Sequence, residues 1–245
     1  MKLVDFRYLH KADFSLASIQ CLLSGVKRTS RKPPRMSAND PKRTSGRPPH
    51  WTEQTKAIWP GIAACLKRVA VFGNAGGGKS TLARQLAEIT RLPLYVVDEL
   101  QFKEGGVAVP HDEYLELHRD LLAQETWIID GYGDNTTIWE RLGAADTLIH
   151  VDLTLPLHYW RVTKRLIKGL SADPEGWPKG SPLWSSTMSS YKVIPRCHRF
   201  VTPRYRQLVI EMAPSKRVAH LTSPREMAAF LDHVRNEFHQ VRPCY

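Results

Sequence analysis

The chain has 245 residues, enough for one large α/β domain plus a tail, with 42% apolar residues and a formal net charge of +11. No uninterrupted run approaches the 18 or so apolar residues of a membrane span, and Cys21, Cys65, Cys197 and Cys244 are too scattered for a disulfide framework or a zinc site. Residues 1–60 hold twelve Lys/Arg and four Asp/Glu, so +8 of the excess belongs to that segment and +3 to the rest; the pI is therefore no argument for a nucleic-acid-binding core.

Residues 1–60 read as a basic, Pro-rich extension. Pro33, Pro34, Pro41, Pro48 and Pro49 stand among Lys, Arg, Ser and Thr, a composition that buries too little apolar surface to offset chain entropy, and disorder is expected from Lys27 to His50. Phe14 to Val26 is mildly apolar, but Ser15, Ser18, Gln20 and Ser24 interrupt it and Asp5 and Asp13 flank it, which speaks against a signal peptide or organelle presequence. A start at Met36, with the first 35 residues an extension, stays open.

The folded domain is expected over residues 61–245. Val69-Ala70-Val71-Phe72 is a short apolar strand, Gly73 to Ser80 fits G-x-x-x-x-G-K-[ST], and Thr81 to Ile89 carries a helical stripe of Leu82, Leu86 and Ile89. By composition the four fixed positions arise by chance in about one chain in a hundred of this length, and requiring a strand before and a helix after lowers that by about another factor of ten. This is a P-loop. Gly73, Gly76, Gly77 and Gly78 are expected at positive φ, turning the amides of Gly73, Asn74, Ala75, Gly76, Gly77, Gly78, Lys79, Ser80 and Thr81 toward an anion at the helix N-terminus. Lys79 would reach the β- and γ-phosphates of ATP, Ser80 would ligate Mg2+, and Thr81 would start the helix.

Further along, Leu92 to Asp98 reads as a buried second strand ending in a carboxylate, Gln101 to Pro110 as a loop, His111 to Gln124 as a helix, and Trp127 to Asp130 as a third strand, again ending in Asp. Thr136 to Leu142 is a short helix and Thr147 to Asp152 a fourth strand. Pro156 to Ile167 is a helix with Arg161, Lys164 and Arg165 on its polar side. Ser171 to Pro195, rich in Pro and Gly, is expected as a lid with little regular structure, within a lid-like segment of about 168–196. Arg199 to Glu211 is expected as a helix after Pro203, and Arg217 to Leu221 as a fifth strand. Ser223-Pro224-Arg225-Glu226 forms a capping box that opens a last helix through Phe238, with Met227, Phe230, Leu231 and Val234 as its stripe. The alternation implies a three-layer α/β fold around a five-stranded parallel sheet.

Ligands of parallel sheets sit beyond the carboxyl ends of the strands. One of Asp98 and Asp130 should therefore hold the Mg2+ shell and the other meet the acceptor; the assignment adopted is Asp130 with Ser80 for the metal and Asp98 for the substrate. Asp152 ranks lower, since a turn or cap role suffices, and His150, inside a strand, is structural. Phosphoryl transfer needs cations over the site, and Arg161 and Arg165, one helical turn apart, can face one phosphate. Arg141 is a candidate clamp for the acceptor. Arg196, Arg199, Arg204 and Arg206 form a second basic cluster with no assignment.

The runs GNAGGGKSTLARQLA, LPLYVVDELQF, WIIDGY, ERLGAADTLIHVDL and YWRVTKRL resemble the small bacterial P-loop topology modulation proteins, relatives of adenylate kinases, over about Lys67 to Lys168. The resemblance implies the nucleoside-monophosphate-kinase arrangement of five parallel strands, ATP with Mg2+ at Gly73, Gly78, Lys79 and Ser80, strand-end acids at Asp98 and Asp130, and lid-helix arginines at Arg161 and Arg165. Asp130-Gly131-Tyr132-Gly133 departs from the family's D-G-N-Y and lacks the arginine with which adenylate kinases seat AMP. The expected function is an ATP-dependent kinase acting on a small acceptor, a nucleotide or another metabolite; a nucleotide-binding regulator or slow ATPase is the alternative. A cytoplasmic monomer or homodimer is expected, without a membrane or a specific nucleic acid as partner.

Overall fold

A computed structural model describes residues 66–103, 107–169 and 183–241. The basic extension and the Pro/Gly-rich stretch 170–182 lie outside the described residues, and so do the expectations placed on them. The central sheet holds five parallel strands in the order β2-β5-β1-β6-β7. These are β1 (Arg68–Gly73), β2 (Leu94–Val96), β5 (Trp127–Asp130), β6 (Thr147–Val151) and β7 (Arg217–Leu221). A separate two-stranded antiparallel ribbon, β3 (Phe102–Lys103) and β4 (Val107–Ala108), stands where a plain loop was expected.

Alternation along the strands builds the three layers. Val69 and Val71 of β1 face a core with Leu82, Leu86, Ile128, Ile149 and Phe230, under α1 (Lys79–Thr90) and α8 (Pro224–Val241). Ala70 and Phe72 face the opposite core with Tyr114, Ile129, Ile138, Leu148 and Val209, under α3 (His111–Leu122), α4 (Thr137–Ala144) and α7 (Thr202–Met212). Strands covered on both faces read as continuous apolar runs, which is why β1, β5 and β6 stand out in the sequence. The chain thus has the P-loop NTPase fold.

The second strand is shorter than expected. β2 ends at Val96, paired with Asp130 at the last residue of β5, and has no other neighbour to continue against. The chain turns into α2 (Val97–Gln101) instead, and Asp98 and Glu99 fall in its first turn, where carboxylates suit the helix dipole. Asp98 is therefore not at a strand end.

The segment expected to lack regular structure holds a second correction. After α5 (Leu155–Gly169), a 14-residue helix α6 runs from Leu183 to Arg196 and continues through a π-helical turn, Cys197–Val201, into α7. The prolines and glycines that argued for a loop are concentrated in 170–182, whereas Leu183 to Ile194 contains neither. The helix α8 opens on a variant of its capping box: Ser223 Oγ accepts from the Glu226 N–H at 3.2 Å, while the Glu226 carboxylate reaches one residue further back, to the Thr222 N–H at 2.7 Å.

Candidate active site

β1 delivers the chain to the P-loop at its carboxyl edge. Gly73 has φ +139°, and a Cβ there would lie 2.1 Å from the Val151 carbonyl oxygen, so glycine is required by both backbone angle and space. Gly78, at φ +81°, is the N-cap of α1, and a Cβ there would strike the Arg161 guanidinium. Gly77 departs from expectation: positive φ occurs at Gly73, Gly76 and Gly78 but not at Gly77, which is small because the Asn74 carbonyl, Val151 and His158 crowd it.

A loop whose amides turn inward turns its carbonyls outward, and buried carbonyls need donors. Lys79 Nζ donates to the Asn74 carbonyl at 2.9 Å, His158 Nδ1 to that of Ala75 at 2.7 Å, and Arg161 Nη1 to that of Gly77. Ser80 is half-buried in the first turn of α1 and Thr81 is exposed. Asn74 is buried; its Oδ1 accepts from the Ala75 N–H at 2.8 Å, and its Nδ2 donates to the Ile194 carbonyl at 2.9 Å.

Asp130 closes β5, next to β1, and pairs in register with Val71. Alternation places it on the face that α1 covers. It is buried, and its Oδ1 has no hydrogen-bond partner, a costly arrangement for a carboxylate that has no other purpose. Asp98 is exposed on α2, one strand further out. Arg161 and Arg165 are half-buried on α5, one turn apart; burial lowers both guanidinium pKa values, and the Asp98 carboxylate counteracts this at Arg165. The Ser80 and Asp130 donors are hard oxygens of the kind Mg2+ takes, and the unpartnered Oδ1 fits such an ion.

Arg141 sits elsewhere than a surface clamp would. It is 1% exposed, and its Nη2 donates to the Gly131 carbonyl at 2.7 Å and that of Tyr132 at 3.0 Å, bracing the turn after β5 from beneath. Its Nη1 is buried without a partner, and burial lowers its pKa against the opposing fields of Tyr114, Tyr205, Asp130 and Asp98. Beside it, Asp134 Oδ1 accepts from the N–H groups of Thr136 and Thr137, both at 2.8 Å, and opens α4.

Asp152 is more than a turn former. Arg206 grips it through Nε–H to Oδ2 at 2.6 Å and Nη2–H to Oδ1 at 2.9 Å, and His220 Nε2–H adds 2.9 Å to Oδ2. Burial acts to raise its pKa, but these bonds outweigh it and hold the carboxyl well below the usual range. His150 lies in register with Phe72 and His220 and stacks between them, at 5.0 and 4.9 Å. One donor atom from each of His150, Asp152 and His220 lies within 4.8 Å of the others. Arg206 grips both carboxylate oxygens, so Asp152, Arg206 and His220 form a packed polar network, whereas both ring nitrogens of the stacked His150 are buried without a hydrogen-bond partner. Arg204 stacks on Trp139 at 5.1 Å and Arg199 on Phe200 at 5.3 Å, which accounts for most of the unassigned basic cluster.

Sequence reasoning missed His158 and the Ile194 carbonyl. His158 lies three residues before Arg161, on the same stripe of α5, and that spacing was its one visible signal. Among the described residues no helix is long and apolar enough to cross a membrane.

No protein-family profile matches the chain, and no curated protein matches it. Similar solved structures include a gluconokinase from Sinorhizobium meliloti 1021, at 12% identity and a TM-score of 0.39 over 71% of this chain and 93% of that one. A shikimate kinase from Acinetobacter baumannii shares 13% identity with a TM-score of 0.41, over 74% and 94%. A sugar kinase from Janibacter sp. HTCC2649 shares 16% with a TM-score of 0.38, over 70% and 98%.

Proposed function

We propose that the protein is an ATP-dependent phosphotransferase that moves the γ-phosphoryl group of ATP to a hydroxyl or phosphate oxygen of a small acceptor. The observation that carries the reading is the buried, unpartnered Asp130 Oδ1 on the strand beside β1, on the face of the P-loop helix. A loop that only bound an anion would not need a buried carboxylate with an unpartnered oxygen next to it.

In this reading the amides from Gly73 to Thr81, other than that of Ala75, which donates to Asn74 Oδ1, hold the triphosphate, and Lys79 exchanges the Asn74 carbonyl for a phosphate oxygen. Arg161 likewise exchanges the Gly77 carbonyl for the transferring group, opposing charge that grows in the transition state. Ser80 and Asp130 would hold Mg2+, which supplies charge neutralisation on the phosphates. Asp98 faces the acceptor and takes the proton of its hydroxyl as the new P–O bond forms and ADP departs, while Arg165 holds the acceptor's other end. Arg141 serves the acceptor through the Gly131-Tyr132 turn that it braces. The sequence resemblance to topology modulation proteins suits this reading but names no acceptor. A panel of nucleotides, polyols and small phosphates incubated with ATP labelled at the γ-phosphate tests it: label is expected in one acceptor class. Release of labelled phosphate to water at a rate that no acceptor alters would overturn it.

A further inference from the structure

Two helices border residues 170–182, and both bond to the P-loop: α5 to its main chain, α6 to the side chain of Asn74. From α5, His158 Nδ1 donates to the Ala75 carbonyl at 2.7 Å and Arg161 to that of Gly77. From α6 the contact runs the other way, with buried Asn74 donating Nδ2 to the Ile194 carbonyl at 2.9 Å across 120 residues. Polar atoms of both His158 and Asn74 are already engaged within the protein: His158 Nδ1 on the Ala75 carbonyl, Asn74 Nδ2 on the Ile194 carbonyl and Asn74 Oδ1 on the Ala75 N–H. The two helices are also tied to each other. Tyr159 stacks on Tyr191 at 5.4 Å, the Tyr159 hydroxyl donates to the Tyr191 carbonyl, and Thr163 Oγ1 shares a hydrogen bond with the Tyr191 hydroxyl.

The local chemistry explains why α6 carries such a contact. Pro195 has no N–H to return to the Tyr191 carbonyl, which Tyr159 takes up instead. After Arg196 the helix widens into the π turn Cys197–Val201, a distortion often found at functional sites. His158 is suited to its task as a neutral donor: a carbonyl only accepts, so Nδ1 carries the hydrogen, and burial pushes the ring pKa down to about 4.

We propose that His158 and Asn74 are positioning residues: His158 holds the Ala75 peptide so that the loop amides face inward, and Asn74 couples the loop to α6, so that nucleotide binding is transmitted to the helix leading out of residues 170–182. This rests on the nucleotide-binding reading of the P-loop. The test uses the full chain with MgATP. His158→Leu is expected to weaken nucleotide affinity about tenfold, the worth of one hydrogen bond to a loop that must be preorganised. His158→Asn, whose amide nitrogen stands where Nδ1 stood, is expected to recover most of that loss, which a purely space-filling role would not allow. In hydrogen exchange, MgATP is expected to slow the amides of residues 74–81 and of residues 187–197 in the native protein. In Asn74→Ala the first effect is expected to remain and the second to vanish. An undiminished response of residues 187–197 in Asn74→Ala overturns the coupling, and equal affinity in His158→Leu overturns the positioning role of His158, each while leaving nucleotide binding intact. Absence of protection at residues 74–81 in the native protein removes the binding reading and this one together.

Discussion

Lys79 and Asp130 carry opposite consequences for stability. The Lys79 ammonium makes a single described hydrogen bond, to the Asn74 carbonyl, so Lys79→Ala is expected to leave the melting temperature within about 2 °C while lowering turnover at least 10^3-fold. Retained turnover would remove Lys79 from the mechanism. Asp130 is buried with one oxygen unsatisfied, and a neutral amide costs less to bury than a carboxylate. Asp130→Asn is therefore expected to raise stability by about 1 kcal/mol and to abolish Mg2+-dependent turnover. Denaturant unfolding beside a steady-state assay measures both, and a variant that loses stability would mean that Asp130 is a structural acid.

Among the elements, the junction of β6, β7 and α7 has its own ionic lock. Asp152, Arg206 and His220 come from three elements, and removing the carboxylate strands two donors, one of them on the buried His220. Asp152→Ala is expected to cost about 2–3 kcal/mol, the range of hydrogen bonds to a charged group, with nucleotide affinity unchanged. Arg206→Ala is expected to cost less, because its side chain is 42% exposed. Thermal melts and nucleotide titration of both variants check this; a large loss of affinity in either would place the lock inside the active site. The same scale explains why α6 escaped the sequence reading: a helix with four serines, a threonine and a proline in its last turn has weak propensity, and its buried Thr187 and Ile194 find their places only against neighbouring elements.

For the molecule as a whole, acid should be the weak point. His118, His150 and His158 are buried, and burial holds their pKa values at about 4, about 3 and about 4. The unfolded chain binds these protons near pH 6.5, so their contribution to stability is present above that pH and is lost as pH falls toward the folded-state values. At pH 5 each costs about 2 kcal/mol, about 6 in total, against a typical stability of about 5–15 kcal/mol. Asp152, with its depressed pKa, adds a loss in the same direction below about pH 4. A melting temperature that falls steeply between pH 6.5 and 4.5 is expected, with about one proton fewer taken up on unfolding in His150→Phe, which keeps the stack on Phe72. An unchanged proton uptake in that variant would count against the prediction.

The amino-acid sequence alone determined the P-loop, the three central strands and the final capped helix, because each is specified by neighbours a few residues away: the glycines that a tight turn needs, the apolar runs of strands covered on both faces, and the Ser223–Glu226 box. Only the tertiary structure decided where β2 stops, that α6 is helical, that Arg141 turns inward beneath the Gly131-Tyr132 turn, that Asp152 pairs with Arg206, and that His158 and Asn74 fasten the loop to two distant helices. Each of these depends on a partner between 9 and 120 residues away or on the end of a neighbouring strand, and no local pattern records a hydrogen bond whose other half is so far along the chain.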